Sequence, residues 1–367
     1  MPTSQRRNRK CRLVGTLLPI LAPALFLIMS ARADNPHVLT VMTRNMDAGT
    51  DLAYILAATD QASLLKGTAA TFAEIKAADI PARASRLADE IATQQPDVIA
   101  LQEVTLWRTG PLMQPPASEV LYDQLDLLMV ELAKRKLPYG VIAVQYLMDA
   151  EAPVPSENLD LRITDRNAIL ARIDLPQSQF SVSNAQTHLF SAYFKLTDPL
   201  LGEIAETMGW MTVDLEVMKS KVRVVNTHLA DPTVPGGVAI LLAQADELLA
   251  SQAQTGMPTI LAGDFNTNAE PGAAHTDAYQ RIVSAGFVDT WKWANLNDPG
   301  YTWPLFGEDQ FSGPGTPSQR VDLIFSGGPI YRWFGSRDLN VLSVVRTGTA
   351  APWASDHAGV VMKRRID

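Results

Sequence analysis

Cysteine is almost missing from this sequence of 367 residues, whose single example is Cys11. It lies in the N-terminal segment, so no disulfide framework staples the rest, and a chain of this length buries enough core to need none. No repeat period, low-complexity block or long polar linker follows residue 34, which excludes repeat arrays. No apolar run beyond the first thirty-odd residues is long enough to cross a membrane. With 47% hydrophobic and 19% charged residues, the composition is that of a globular chain and excludes disorder or a fibre.

The first thirty-odd residues differ. Arg6, Arg7, Arg9, Lys10 and Arg12 precede the apolar run Leu13 to Met29, which ends in Ala31-Arg32-Ala33. That order is the order of a secretory signal peptide cleaved after Ala33, and Pro19 and Pro23 interrupt the run against an anchor helix. The expectation is a cleaved signal over residues 1–33 and one folded domain over 34–367, exported to a periplasm or secreted, with no transmembrane segment after cleavage. Six basic residues leave with the signal, so 25 Lys and Arg face 39 Asp and Glu and the net charge is −14. Such a chain opposes long-range capture of polyanions, although bound metal ions can supply positive potential locally.

Short β-rich runs recur: Val38 to Arg44, Asp97 to Gln102, Tyr139 to Tyr146, Ala168 to Ile173, Met211 to Val217, Val222 to Thr227, Thr259 to Ala262, Val321 to Phe325 and Gly359 to Met362. Several, such as VIAL and ILAG, are continuously apolar, as strands buried on both faces are. Helical patterns separate them at Ala82 to Gln95, Glu119 to Lys136, Val238 to Ala253 and Ala274 to Ala285. Buried strands interleaved with helices predict a layered domain with helices covering sheets. Thr105 to Ser118 and Ala150 to Asp165 read as loops that could line a site.

Polar clusters stand at the ends of the apolar runs. Arg44-Asn45-Met46-Asp47 follows the first, and Gln102-Glu103 ends the second. His228 follows Val225-Asn226-Thr227. In Gly263-Asp264-Phe265-Asn266 the Gly permits a sharp turn, and Asp and Asn two residues apart on extended chain face one side. Arg320-Val321-Asp322 and Ser355-Asp356-His357 complete the set. Adjacent Asp and His before a strand project oppositely, so one could hold metal while the other serves as a base.

Together these residues resemble the endonuclease/exonuclease/phosphatase superfamily, over about residues 38 to 363. Each motif is short; their composition, order and spacing together are specific. The resemblance implies an α+β fold, a four-layer αββα sandwich of two packed mixed β-sheets flanked by helices, with the site at the sheet edges. It implies a metal-dependent phosphoric ester hydrolase with Asn45, Glu103 and Asp356 as metal positions and Asp47 as a further contributor. It makes His228 a phosphate-contacting histidine, Asp264 and Asn266 the central Asp-x-Asn, Asp322 the acid that supports a histidine, and His357 that catalytic histidine. Arg44 departs from the aromatic or small residue that many members carry before the Asn, at the lip of the phosphate pocket.

An all-oxygen ligand set suits a hard ion, Mg²⁺ first, with Mn²⁺ or Ca²⁺ as alternatives. By the same analogy Asp264 orients or deprotonates water, and which group is the base stays open. Arg166, Asn167 and Trp107 are added as candidate substrate contacts, Trp107 having a buried loop anchor as its alternative. Trp291, Trp293, Tyr301 and Trp303 read as packing, and His37, His188 and His275 as outside the site. A nuclease acting on nucleic acid is the leading expectation for this monomeric enzyme. A phospholipid or inositol-phosphate phosphoesterase and an inactive binding domain on the same scaffold are the competitors.

Overall fold

The computed structural model describes residues 38–366 apart from 51, 57, 199–201, 253–254, 271, 275–276, 308–312 and 328–339. The expected signal peptide, His37 and His275 lie outside the described residues. In chain order the first strands are β1 (Val38–Asn45), β2 (Val98–Gln102), β3 (Leu106–Pro111), β4 (Glu119–Asp123), β5 (Tyr139–Val154) and β6 (Leu159–Arg172). They are followed by β7 (Phe180–Leu189), β8 (Phe194–Asp198), β9 (Gly202–Glu206), β10 (Gly209–Val217) and β11 (Ser220–His228). The last are β12 (Thr259–Asp264), β13 (Val288–Asp289), β14 (Asp322–Gly327), β15 (Val341–Thr347) and β16 (Gly359–Arg365). The helices are α1 (Ala53–Leu56), α2 (Gln61–Ala77), α3 (Ile80–Gln94), α4 (Gln124–Lys134), α5 (Gly237–Gln252), α6 (Asp277–Ser284) and α7 (Thr290–Ala294).

One sheet has the order β15-β16-β1-β2-β6-β3-β4 with β5 also on β6, the second has β13-β14-β12-β11-β10-β7, and β8 and β9 form a hairpin. Each sheet holds one parallel pair, β1 with β2 and β11 with β12, among antiparallel neighbours. Parallel neighbours need crossovers, and α1 to α3 and α5 lie in these two connections. The carboxyl ends of β1, β2, β11 and β12 therefore come to the same edge as the amino ends of β14 and β16.

Alternation along the strands sorts the core into layers. Leu39 and Val41 of β1 and Val98 and Ala100 of β2 meet Val222, Val224, Ile260 and Ala262 of the second sheet in one cluster. Met42, Ile99 and Leu101 point the other way, against Leu87 and Ile91 of α3 and Leu128 of α4. Val225 and Leu261 likewise pack outward on Leu241 and Leu248 of α5 and Ile282 of α6. Each such fully buried Val, Leu, Ile or Met side chain contributes about 1.5–3 kcal/mol. The result is the four-layer αββα sandwich of the α+β class.

Three segments depart from expectation. The stretches Thr105 to Ser118 and Ala150 to Asp165 contain β3 and long parts of β5 and β6, because Trp107, Val154, Leu161 and Ile163 form an apolar face against Phe72 and Ile75 of α2. Glu119 to Lys136 divides into β4 and α4: the Asp123 carboxylate accepts from the backbone N–H of Leu125 and Asp126 and starts the helix there. Helix α2 itself had no clear apolar stripe, and the edge strand β7 is largely polar.

Candidate active site

The alternation that builds the core also selects the site. Leu39 and Val41 face the second sheet, so Asn45 does too, while Arg44 faces α3. The Asn45 Nδ2 crosses between the sheets, donating to Glu103 Oε1 at 2.8 Å and to Asp264 Oδ2 at 3.0 Å. Its Oδ1 accepts from the Asp47 N–H at 2.8 Å. Glu103 leaves β2 with φ +53°, and its Oε2 accepts from the Ala48 N–H at 2.8 Å. Asp47 and Asn266 are also left-handed, at φ +58° and +46°. Non-glycine residues there cost free energy and persist only where surrounding contacts fix them.

In the second sheet, His228, Asp264 and Asp322 form one row across three strands, for His228 pairs with Asp264 and Asp264 with Asp322. Gly263 allows this close pairing, since a Cβ there would lie 2.1 Å from the Thr227 carbonyl oxygen. Asp264 Oδ2 stands 3.7 Å from both His228 Nε2 and His357 Nδ1. Its Oδ1 accepts from the Asn266 N–H at 2.9 Å, and the Asn266 side chain bonds the Leu229 carbonyl and stands 3.2 Å from His228 Nε2. His357 Nδ1 lies 2.8 Å from Asp322 Oδ2. Asp356 accepts from the Trp303 indole N–H at 3.1 Å, and its other oxygen is 3.9 Å from His357 Nε2.

Burial and charge set the protonation states. Burial raises the carboxyl pKa of Asp264, but the two facing histidines, with the hydrogen bonds from the Asn266 N–H and Asn45, outweigh it and hold Asp264 below the usual range. Burial would lower both histidines; instead Asp322, Asp356 and Asp264 push His357 well up, and Asp264, Glu103 and Asp165 raise His228. Burial raises Asp322 and Asp356 despite the opposing charge of His357.

Ligand atoms of Asp264, Asp322 and His357 all lie within 4.8 Å of one another. The Asp322–His357 hydrogen bond engages two of the three, so the cluster is a charge-linked triad rather than a cation cage. Asn45, Glu103 and Asp356 offer oxygen donors, the chemistry that a hard cation takes. There the carboxylates repel, Glu103 raising Asp356 and Asp356 raising Asp47, and a divalent ion relieves such repulsion. Asp47 is partly compensated already, by Arg83 at 3.0 Å.

The family model for the endonuclease/exonuclease/phosphatase family matches residues 72–357. The chain belongs to that family. Members of the endonuclease/exonuclease/phosphatase family hydrolyse phosphoester bonds and are generally dependent on divalent metals. No curated protein matches the chain.

Solved structures of the family share the fold. A family protein from Leptotrichia buccalis is 18% identical with a TM-score of 0.54, over 89% of this chain and 100% of its own. One from Beutenbergia cavernae is 22% identical with a TM-score of 0.53, over 90% of this chain and 72% of its own. TDP2 from D. rerio, complexed with single strand DNA product, is 15% identical with a TM-score of 0.52, over 90% of this chain and 99% of its own.

Of the residues singled out in the sequence, Asn45, Glu103, His228, Asp264, Asn266, Asp322, Asp356 and His357 converge at this one edge, with Asp47 beside them. Asn167 is buried on the same inner face as Ile169, and neither side-chain atom has a hydrogen-bond partner among the described residues. Trp107 does not line the mouth: it is 1% exposed, its N–H donates to the Ala48 carbonyl, and it anchors α2 against the first sheet. Arg166 is likewise removed from substrate contact, since its guanidinium is engaged by the Val104 carbonyl and Asp123. Arg44 is buried beneath the first sheet and forms no lip.

Two neighbours stand at the site that the sequence reading did not assign to it, Trp303 having been read as packing. Burial pushes Asp165 up to about 7; His228 opposes and Glu103 adds to it. Its even spacing from Asn167 and Ile169 was the available signal. Trp303 sits 6.4 Å from the His357 ring, between centroids, and nothing local in its sequence marks it.

Proposed function

We propose that this chain is an exported, divalent-metal-dependent phosphodiesterase whose leading substrate class is nucleic acid. The observation that carries the reading is Asp264, an anionic carboxylate equidistant from two histidines that are both drawn toward the cationic form. An acceptor for a water proton and two donors for phosphoryl oxygens are what phosphoester hydrolysis requires. Asn45, Glu103 and Asp356 would hold the cation, Mg²⁺ first with Mn²⁺ or Ca²⁺ as alternatives, which supplies charge stabilisation to the phosphoryl group. Asp264 orients water and takes its proton. Asp322 accepts from the Nδ1–H of His357 and favours the imidazolium, whose Nε2–H then donates toward the phosphate, and His228 and Asn266 donate from the other side.

The nuclease reading draws support from the fold shared with TDP2 bound to DNA product. A phospholipid phosphodiesterase is the second reading, favoured by the expected net charge of −14, which repels a polyanion. Export rests on the basic and apolar N-terminal segment ending in Ala33. No helix among the described residues is long and apolar enough to cross a membrane.

Mature protein with Mg²⁺ should hydrolyse bis(p-nitrophenyl) phosphate, and His357→Ala and Asp264→Ala should each lose nearly all of that rate. Unchanged rates in both variants would sink the assignment. Plasmid DNA, RNA, sphingomyelin and inositol phosphates compared with EDTA controls then separate the substrates. Dominant DNA cleavage supports the nuclease reading, and activity confined to lipid overturns it.

A further inference from the structure

Helix α3 carries Arg83, Arg86 and Glu90, spaced so that the three lie along one side of the helix. Arg83 and Arg86 reach the loops of the site, and Glu90 reaches Arg44 of β1. Arg83 donates to the carbonyls of Met46 at 2.6 Å, Asp47 at 3.0 Å and Ala354 at 2.9 Å. Arg86 donates to the Trp353 carbonyl at 3.1 Å. Glu90 pairs with Arg44 at 2.9 Å, and the Arg44 guanidinium donates in turn to the His357 carbonyl.

Arg44 is 0% exposed, and room for it is made by two glycines. A Cβ on Gly348 would lie 2.7 Å from Arg44 Nη2 and 2.4 Å from Glu90 Oε1, and a Cβ on Gly359 would lie 3.0 Å from Arg44 Cδ. A buried ion pair is weak evidence for stability, because an apolar residue of similar volume often packs as well. Here the guanidinium supplies what an apolar residue cannot, a directed donor on the backbone of the one residue whose ring faces Asp322.

We propose that Arg44, held by Glu90, is a positioning residue for His357. The imidazole is aimed from two sides: Asp322 of the second sheet grips the ring, and Arg44 of the first sheet grips the carbonyl of the same residue. The inference rests on the proposed role of His357 in hydrolysis. It extends that reading to a group on the helix side of the first sheet, away from any substrate.

The test uses mature protein carrying Arg44→Met, Arg44→Lys or Glu90→Gln. Three quantities are measured: kcat and KM on bis(p-nitrophenyl) phosphate with Mg²⁺, the melting temperature, and the imidazole N–H resonance of His357 in metal-free protein. Arg44→Met should lower kcat about 100-fold with KM unchanged, as a misaimed reacting group does. Arg44→Lys should recover part of the loss, because a single ammonium cannot serve both Glu90 and the carbonyl. Glu90→Gln, at a partly exposed position, keeps the fold if Arg44→Met does not, and should lower kcat about tenfold at an unchanged melting temperature. Full kcat in folded Arg44→Met or in Glu90→Gln overturns the inference. If the wild type proves inactive, the hydrolytic reading fails separately, and the resonance still decides: its loss in Arg44→Met supports the clamp, and a wild-type resonance refutes it.

Discussion

Asp322 Oδ2 and His357 Nδ1 stand 2.8 Å apart although 35 residues separate them in sequence, so the start of β14 is joined to the residue just ahead of β16. The bond links the two sheets at the site, and the negative charge of Asp322 is the strongest influence lifting His357 against the lowering effect of burial. Asp322→Asn keeps a polar group of the same shape and removes the charge. The His357 imidazole should then lose its proton at a lower pH than in the wild type, followed by NMR titration. The loss in kcat should be roughly 10²–10⁴-fold, the usual range for a positioned proton-transfer group. An unshifted titration would show that Asp322 does not control His357.

Metal removal should abolish hydrolysis, and Mg²⁺ should restore it. An ion that binds only the folded state stabilises it by mass action, so Mg²⁺ at a hundredfold excess over Kd should stabilise the wild type by about 2.7 kcal/mol. Glu103→Gln removes one of the carboxylates facing the ion and should need at least about tenfold more Mg²⁺ for the same rise in melting temperature. Equal Mg²⁺ responses in both proteins would place the ion elsewhere.

Asp165 gives a pH-dependent stability. Its carboxyl, ordinarily near 3.8, is pushed up to about 7 by burial in the folded state. A raised acid contributes stability below its unfolded pKa and loses it as pH climbs through the folded value, so the cost accumulates between those limits. At about 1.36 kcal/mol per unit it reaches on the order of 4 kcal/mol by pH 8. Asp165→Asn should therefore stabilise the protein more at pH 8 than at pH 5 in denaturant melts, and an equal effect at both would contradict it.

Trp107 should behave as core. Trp107→Ala should cost about 3–5 kcal/mol of stability, the range for emptying a buried aromatic site. KM for a small phosphodiester should stay unchanged in the folded fraction, whereas a raised KM would return Trp107 to the mouth.

The eight converging residues were legible because each lies beside an apolar strand run, where the chain itself announces an exposed end. The same runs predict a layered domain of sheets covered by helices, and the family resemblance adds the four-layer αββα order. Trp107 and Arg166 were misread because position along the chain does not show which way a side chain turns: alternation sends one under α2 and the other to Asp123. Asp165 was missed because a strand begun at Ala168 was too short to carry the alternation back to it. Arg83 could not be found locally, since its partners, the carbonyls of Met46, Asp47 and Ala354, come from distant parts of the sequence.

The final strand, β16, lies between β1 and β15, and His357 enters two residues ahead of it. A chain still emerging from the ribosome carries Asn45, Glu103 and Asp264 well before it carries His357. On the roles proposed above, the site is assembled only when β16 has been laid against β1.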